Sequence, residues 1–264
     1  MHNHVEKDKY IIFLDIDGTV FDGKKVPEKN IESLKKAREQ GHKVFINTGR
    51  AHCIITREMI DAIKPDGIIS AMGTAIYIDG TFVYSAVMNE SDIEYLLDFG
   101  EERDIYILIE SIEKLVSFRG PAFLGQNYFL DYASDLRKEY PDMNISKISL
   151  MCTLTNEDID ILKERFPSVY VHADYAEIPA LNHNKATAIA RVCEYYGVDI
   201  SHSIAMGDSG NDDEMIKAAG IGVAMGNATE HIKASADFIT LNCEDGGVAY
   251  ALEKLVLKNQ IVNN

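Results

Sequence analysis

Basic residues are scarce in this chain. Lys and Arg number 26 against 42 Asp and Glu, for a formal net charge of −16. Nucleic acids and anionic bilayers are bound through a basic face, so neither is expected as a partner. Cysteine is sparse too. Cys53, Cys152, Cys193 and Cys243 are scattered and form no Cys-x-x-Cys pair, so neither a zinc knuckle nor a dithiol redox motif is indicated. Dispersed thiols fit a reducing compartment. No apolar run approaches the roughly 20 residues of a membrane span, and Met1 to Tyr10 lacks the apolar stretch of a signal peptide. A soluble, cytoplasmic protein is therefore expected. Internal repeats and low-complexity segments are lacking as well. His2 and His4 read as a polar terminus and not as a metal site.

What is present is enough apolar residue for a real core, 46% of 264 residues, with room for two domains. The first segment alternates strands with helices: strand Tyr10–Leu14, helix Pro27 to Gln40, strand Lys43–Asn47, a helical pattern through Ile55, Met59, Ile60 and Ile63, and strand Gly67–Ser70. That alternation predicts a parallel sheet with right-handed crossovers. From about Thr81 the character changes. Ser91 to Glu94 reads as a capping box with Gly100 closing the helix. Ile105–Glu110 and Lys114–Phe118 read as a hairpin, Tyr128–Lys138 as helical and Lys147–Thr153 as a strand. Thr155 opens a further helix, and Val169–His172 is strand-like. After Ile178 the first pattern resumes: helix Asn184 to Tyr196, strand Ser203–Met206, helix Asp212–Ala219, strand Ile221–Ala224 and a final helix to about Leu257. The expected architecture is a doubly wound α/β core interrupted by an inserted α+β module.

Four segments carry chemistry. Asp15-Ile16-Asp17-Gly18-Thr19 follows four apolar residues, so two carboxylates stand where a strand ends. Gly18 permits a sharp turn there. Asn47-Thr48-Gly49-Arg50 also ends a strand; Thr48 can donate to a phosphate oxygen and Gly49 allows close approach. Gly207-Asp208-Ser209-Gly210-Asn211-Asp212 follows a third strand, and its oxygen-rich side chains suit a hard cation such as Mg²⁺. Lys185 stands near a helix start, as a counter-charge between clustered carboxylates and a phosphate.

Taken in order, these residues resemble the haloacid dehalogenase superfamily of phosphohydrolases. Gly207 to Met215 and Val223-Ala224-Met225-Gly226-Asn227-Ala228 resemble its Cof-type subfamily. The resemblance implies a Rossmann-like core of residues 1–80 and 179–264 with an α/β cap of residues 81–178. It implies Asp15 as nucleophile, Asp17 as acid and base, and Thr48 and Lys185 as catalytic residues on the phosphoryl group. Gly18 and Gly49 would help bind phosphate, and Arg50 would contact substrate. Mg²⁺ would be held by Asp15, the Asp17 carbonyl and Asp208, with Asn211 and Asp212 orienting ligands or Lys185. The substrate would be a small phosphate ester, with sugar phosphates first. Two departures, Met72-Gly73-Thr74 and the absence of Gly after Lys185, bear on substrate preference. A phosphomannomutase-like mutase, a phospho-acceptor module and a catalytically dead binding protein remain as alternatives. The oligomeric state is left open.

Overall fold

The computed structural model describes residues 9–257, so His2 and His4 lie outside the described residues. Among these residues the strands form two sheets, one of eight strands and one of six. The large sheet takes β1 (Ile11–Leu14), β2 (Lys43–Asn47), β3 (Gly67–Ser70), β4 (Ala75–Ile78) and β5 (Thr81–Ser85) from the first third. The small sheet takes β6 (Ile107–Ser111), β7 (Leu115–Phe118), β8 (Tyr128–Leu130), β9 (Ile145–Leu150), β10 (Tyr170–Val171) and β11 (Ala176–Pro179). The chain then returns to the large sheet with β12 (Ser203–Gly207), β13 (Ile221–Ala224) and β14 (Phe238–Ile239).

The order of the large sheet is β14-β13-β12-β1-β2-β3-β4-β5, parallel from β14 to β3. β1 lies between β12 and β2, buried along its whole length, as its uninterrupted Ile-Ile-Phe-Leu run requires. Helices α1 (Glu28–Glu39) and α2 (Arg57–Ile63) make the first crossovers. Pro27 caps α1, where a missing N–H costs nothing, and Gly41 turns the chain away with φ +89°. Helix α6 (Lys185–Tyr196) starts with a reciprocal Asn184–Thr187 capping box and stops at the left-handed Gly197. α9 (Gly247–Leu255) packs with α1 and α2 on one face of the large sheet, α7 (Asp213–Ala218) packs with α6 on the other, and the short α8 (Glu230–Ser235) lies beside β13.

β4 and β5 go beyond the sequence reading. Asp79 and Gly80 both have positive φ, the conformation of a tight hairpin turn, so both strands run antiparallel on the edge of the large sheet. The limit expected between residues 80 and 81 falls inside this hairpin.

The small sheet has the order β10-β11-β9-β6-β7-β8. One face packs against α3 (Glu90–Glu102) and α5 (Asn156–Arg165) through Ile93, Leu97, Ile107, Ile109, Ile148 and Leu162. Alternate residues on the same strands, Leu108, Glu110, Lys147, Ser149 and Glu177, take the other face. Three local expectations need correction here. Ser91 does not cap α3: Asn89 stands at the cap without a side-chain cap bond, and Asp92 is drawn to Arg165 at 2.9 Å. α3 also runs past Gly100 to Glu102, because the missing Cβ leaves room for Ile107. Within Tyr128–Lys138 the aromatic start pairs as β8 with β7, and helix is confined to Ala133–Asp135 and α4 (Leu136–Glu139). No described helix is long and apolar enough to cross a membrane.

Candidate active site

The chemistry-bearing segments meet at the carboxyl ends of β1, β2 and β12, where an open α/β sheet places its ligands. Asp15 follows β1, and its N–H donates to Met206 O at 3.0 Å, so it leaves the sheet beside β12. Gly18 has φ +80°, and a Cβ there would drive into the Asp208 carboxylate. The glycine thus serves both the turn and the close packing of the two acidic loops. Thr19 donates its hydroxyl to Asp208 Oδ1 at 3.0 Å. Asn227, the polar residue of the 223–228 segment, donates to Gly18 O at 2.9 Å and accepts from Cys243 N–H at 2.8 Å.

Lys185, the first residue of α6, is 1% exposed and reaches Asp15 Oδ1 at 2.7 Å and Asp212 Oδ1 at 2.6 Å. Asn47 holds that turn of helix by donating to Lys185 O at 3.0 Å. Asp212 is fully engaged: its Oδ2 accepts from the Asp208 and Ser209 N–H groups at 2.9 and 3.0 Å. It therefore folds the loop back on itself and orients Lys185. Thr48 is buried, with its N–H on Ile69 O and its Oγ1 accepting from Arg50 N–H at 3.1 Å. Arg50 does not stand free for substrate. Its guanidinium grips Asp17 through two bonds, 2.8 and 2.7 Å long. Asn211 donates to Glu177 Oε2 at 3.2 Å and so reaches the small sheet.

The carboxylates strain one another. Burial pushes the Asp15 carboxyl well above its ordinary range, Asp212 and Asp208 add to that, and Lys185 opposes it. Burial, then Asp212, pushes Asp208 up to about 6. Burial alone would lower Lys185, but Asp15 and Asp212 outweigh it and hold the ammonium above its ordinary value. A divalent cation would relieve this crowding. Oxygens of Asp15, Asp208 and Asp212 lie within 4.8 Å of one another. Asp212 accepts short bonds on both oxygens, whereas Asp15 is bonded on Oδ1 alone and Asp208 Oδ2 meets only Asn227 at 3.5 Å, so Asp15 and Asp208 keep more capacity for a hard cation. The Asp17 side chain, turned to Arg50, stands outside this group.

Asp15, Asp17, Thr48, Gly49 and Arg50 line a cavity of about 330 Å³ whose other wall is the polar face of the small sheet. On that wall Lys147 donates to Gly49 O at 2.7 Å and to Glu177 Oε1 at 2.5 Å, and lies 3.2 Å from Glu110 Oε1. Ser149 donates to Glu110 Oε1 at 2.5 Å. None of these four was singled out from sequence. The available signal was alternation: Ile-Ser-Lys-Ile-Ser-Leu puts Lys147 and Ser149 on one face of a buried strand.

A sequence profile of haloacid dehalogenase-like hydrolases matches residues 12–252. A Bacillus subtilis protein, 5-amino-6-(5-phospho-D-ribitylamino)uracil phosphatase YcsE, is 31% identical over 94% of this chain and 96% of its own. Phosphoglycolate phosphatase of Methanobrevibacter smithii is 26% identical over 93% and 98%. Among solved structures, the phosphatase BT1666 of Bacteroides thetaiotaomicron superposes with a TM-score of 0.79 at 28% identity, covering 93% of this chain and 94% of its own. The subclass IIB sugar phosphatase BT4131 reaches 0.82 at 24% identity, covering 93% and 98%, which bears on the fold alone.

Proposed function

The chain belongs to the haloacid dehalogenase-like hydrolases, as a Cof-type phosphoric monoester hydrolase, and from that premise we propose that it is a Mg²⁺-dependent phosphatase of small phosphorylated metabolites, sugar phosphates first, acting in the cytoplasm. The observation that carries this reading is that Asp15 lines one strand-end cavity with Asp17 and Thr48 while Lys185 and Asp208 stand against it from behind. The large sheet is taken as the catalytic core and the small sheet with its helices as the cap. The relative named for a phosphorylated ribityl compound supports a hydroxylated leaving group.

Asp15 attacks phosphorus in line and forms an aspartyl-phosphate while the ester oxygen departs. Asp17, freed from Arg50, gives that oxygen a proton. It then removes a proton from the water that attacks the intermediate, and Asp15 is released with inorganic phosphate. Thr48, Lys185 and the backbone at Gly18 and Gly49 hold the phosphoryl oxygens as charge redistributes. Asn211 and Asp212 keep the loop and Lys185 in place. Mg²⁺ held by Asp15, Asp208 and the Asp17 carbonyl would neutralise charge between the anionic nucleophile and the anionic ester. The cap excludes water and chooses the leaving group. Arg50, once displaced from Asp17, is placed to contact substrate.

Asp15→Asn tests this. It should abolish Mg²⁺-dependent release of phosphate from p-nitrophenyl phosphate without altering the circular dichroism spectrum. Retained turnover would remove Asp15 as nucleophile.

A further inference from the structure

The described chain passes between the two sheets twice, outward after β5 and back after β11. Both passages are short. On the way out, Ala86 N–H still bonds Thr74 O beside β4, at 2.8 Å, while Met88 N–H already bonds Ile145 O of the small sheet, also at 2.8 Å. Val87 stands between them, 47% exposed. On the return, Ala180 N–H bonds Ser146 O of the small sheet at 2.9 Å. Asn184 is already the cap of α6, and its carbonyl lies so close to Gly73 that a Cβ there would drive into it. The change of sheet is therefore made within Leu181, Asn182 and His183. Joints of so few residues absorb rocking of one body against another unless side chains brace them.

One side-chain bond braces both. Tyr84, on β5 just before the outward passage, donates its hydroxyl to Nε2 of His183, on the return passage, at 2.7 Å and across 99 residues of sequence. The surroundings set the direction of that bond. His183 Nδ1 faces Leu181 O at 2.8 Å and Ala180 O at 3.2 Å, so Nδ1 carries the proton and Nε2 is left to accept. Burial lowers the imidazole from its ordinary value; Leu181 O opposes that and the Arg191 charge adds to it. Arg191 also lays its guanidinium over the Tyr84 ring, 4.5 Å from its centre, which pins the phenol to α6.

The set of one sheet against the other matters because the small sheet grips the loops that hold the chemistry. Lys147 donates to Gly49 O, and Glu177 accepts from Asn211. We propose that Tyr84 and His183 are positioning residues for phosphoryl transfer: their hydrogen bond ties the two passages together and so holds the small sheet in place on the Gly49 and Asn211 loops. Neither residue is among those lining the cavity, so both act through the sheet and not on the substrate. The inference rests on the phosphatase reading above and adds to it a pair of residues that work from outside the cavity.

Tyr84→Phe deletes one hydroxyl and keeps the ring under Arg191. With p-nitrophenyl phosphate and Mg²⁺ its kcat should fall about tenfold, the scale of one net hydrogen bond. His183→Leu cannot make the bond either and should lose the same factor. The double variant should lose no more than either alone, as for two ends of one contact. His183→Gln, whose amide oxygen can still accept from Tyr84, should keep kcat within about twofold of the wild type. If His183→Leu does not fold, Tyr84→Phe set against His183→Gln carries the reading. Hydrogen–deuterium exchange reads the tie directly: the Met88 and His183 amides should exchange about tenfold faster in Tyr84→Phe, with β1 unchanged. Exchange unmoved at those amides, or losses that multiply in the double variant, overturns the tie. A lower Tm with kcat intact makes the bond merely structural and overturns the positioning role alone. If the wild type leaves p-nitrophenyl phosphate intact with Mg²⁺ present, the phosphatase reading fails and the positioning role with it.

Discussion

Burial alone would raise the Glu177 carboxyl, yet Lys147 and His172 outweigh burial and hold it below its ordinary range. A carboxyl depressed in the folded state contributes stability above its unfolded value and loses it as pH falls through the folded one. Glu177→Gln should therefore be less stable than the wild type at neutral pH by on the order of 3 kcal/mol, the usual cost of breaking a buried pair. The difference should narrow as pH falls below the ordinary carboxyl value of 4.5, as urea titrations at stepped pH would read. A gap that does not change with pH would mean the pair is not what the glutamate contributes. Glu177 was silent in the sequence because its partners are distant: Lys147 is 30 residues away and Asn211 is 34. Asp15, Thr48 and Asp208 were legible, since each follows a buried strand and stands beside a glycine or a second polar group. The Arg50–Asp17 pair falls between. Both residues were marked, but only folding shows that they occupy each other.

At the scale of the element, α6 links local helix chemistry to the site. Its capping box, Asn184 with Thr187, brackets Lys185. Asn184→Ala should cost about 1 kcal/mol and lower Tm by roughly 2–4 °C. It should also reduce kcat on p-nitrophenyl phosphate, because the lysine is the first residue of the frayed turn. Asn184→Ser, which can still cap, should restore both. A fall in Tm with kcat intact would separate the cap from the lysine. α6 was legible because a 3.6-residue period and caps at both ends agree with the tertiary result, and β1, β2, β3, β12 and β13 because each is an apolar run, whereas the two-residue parallel strand β14 was not read. β8 was not, because its three residues become a strand only through pairing with β7. α8, of six residues, is too short for its period to be read.

For the whole molecule, the crowded carboxylates make stability and function oppose each other. Asp208→Asn removes one charge from the cluster of Asp15, Asp208 and Asp212. In EDTA the variant should be more stable than the wild type by on the order of 1–2 kcal/mol, as expected where a strained site is relaxed. Millimolar Mg²⁺ should raise the Tm of the wild type and leave that of the variant unmoved, read by thermal melts with and without the metal. A variant that still responds to Mg²⁺ would take Asp208 out of the metal site.

The placing of β1 between β2 and β12 also has a consequence in time. β2 is synthesised soon after β1, but β12 begins at Ser203, 189 residues beyond Leu14. At ordinary synthesis rates that is an interval of about 10–40 s. The residues of the small sheet emerge within it and can fold as a unit. Throughout that interval the strand leading to Asp15 has one open edge, a row of unpaired main-chain groups on an Ile-Ile-Phe-Leu segment. A strand buried along its whole length in the finished protein is thus a liability on the ribosome, until β12 arrives to close its edge.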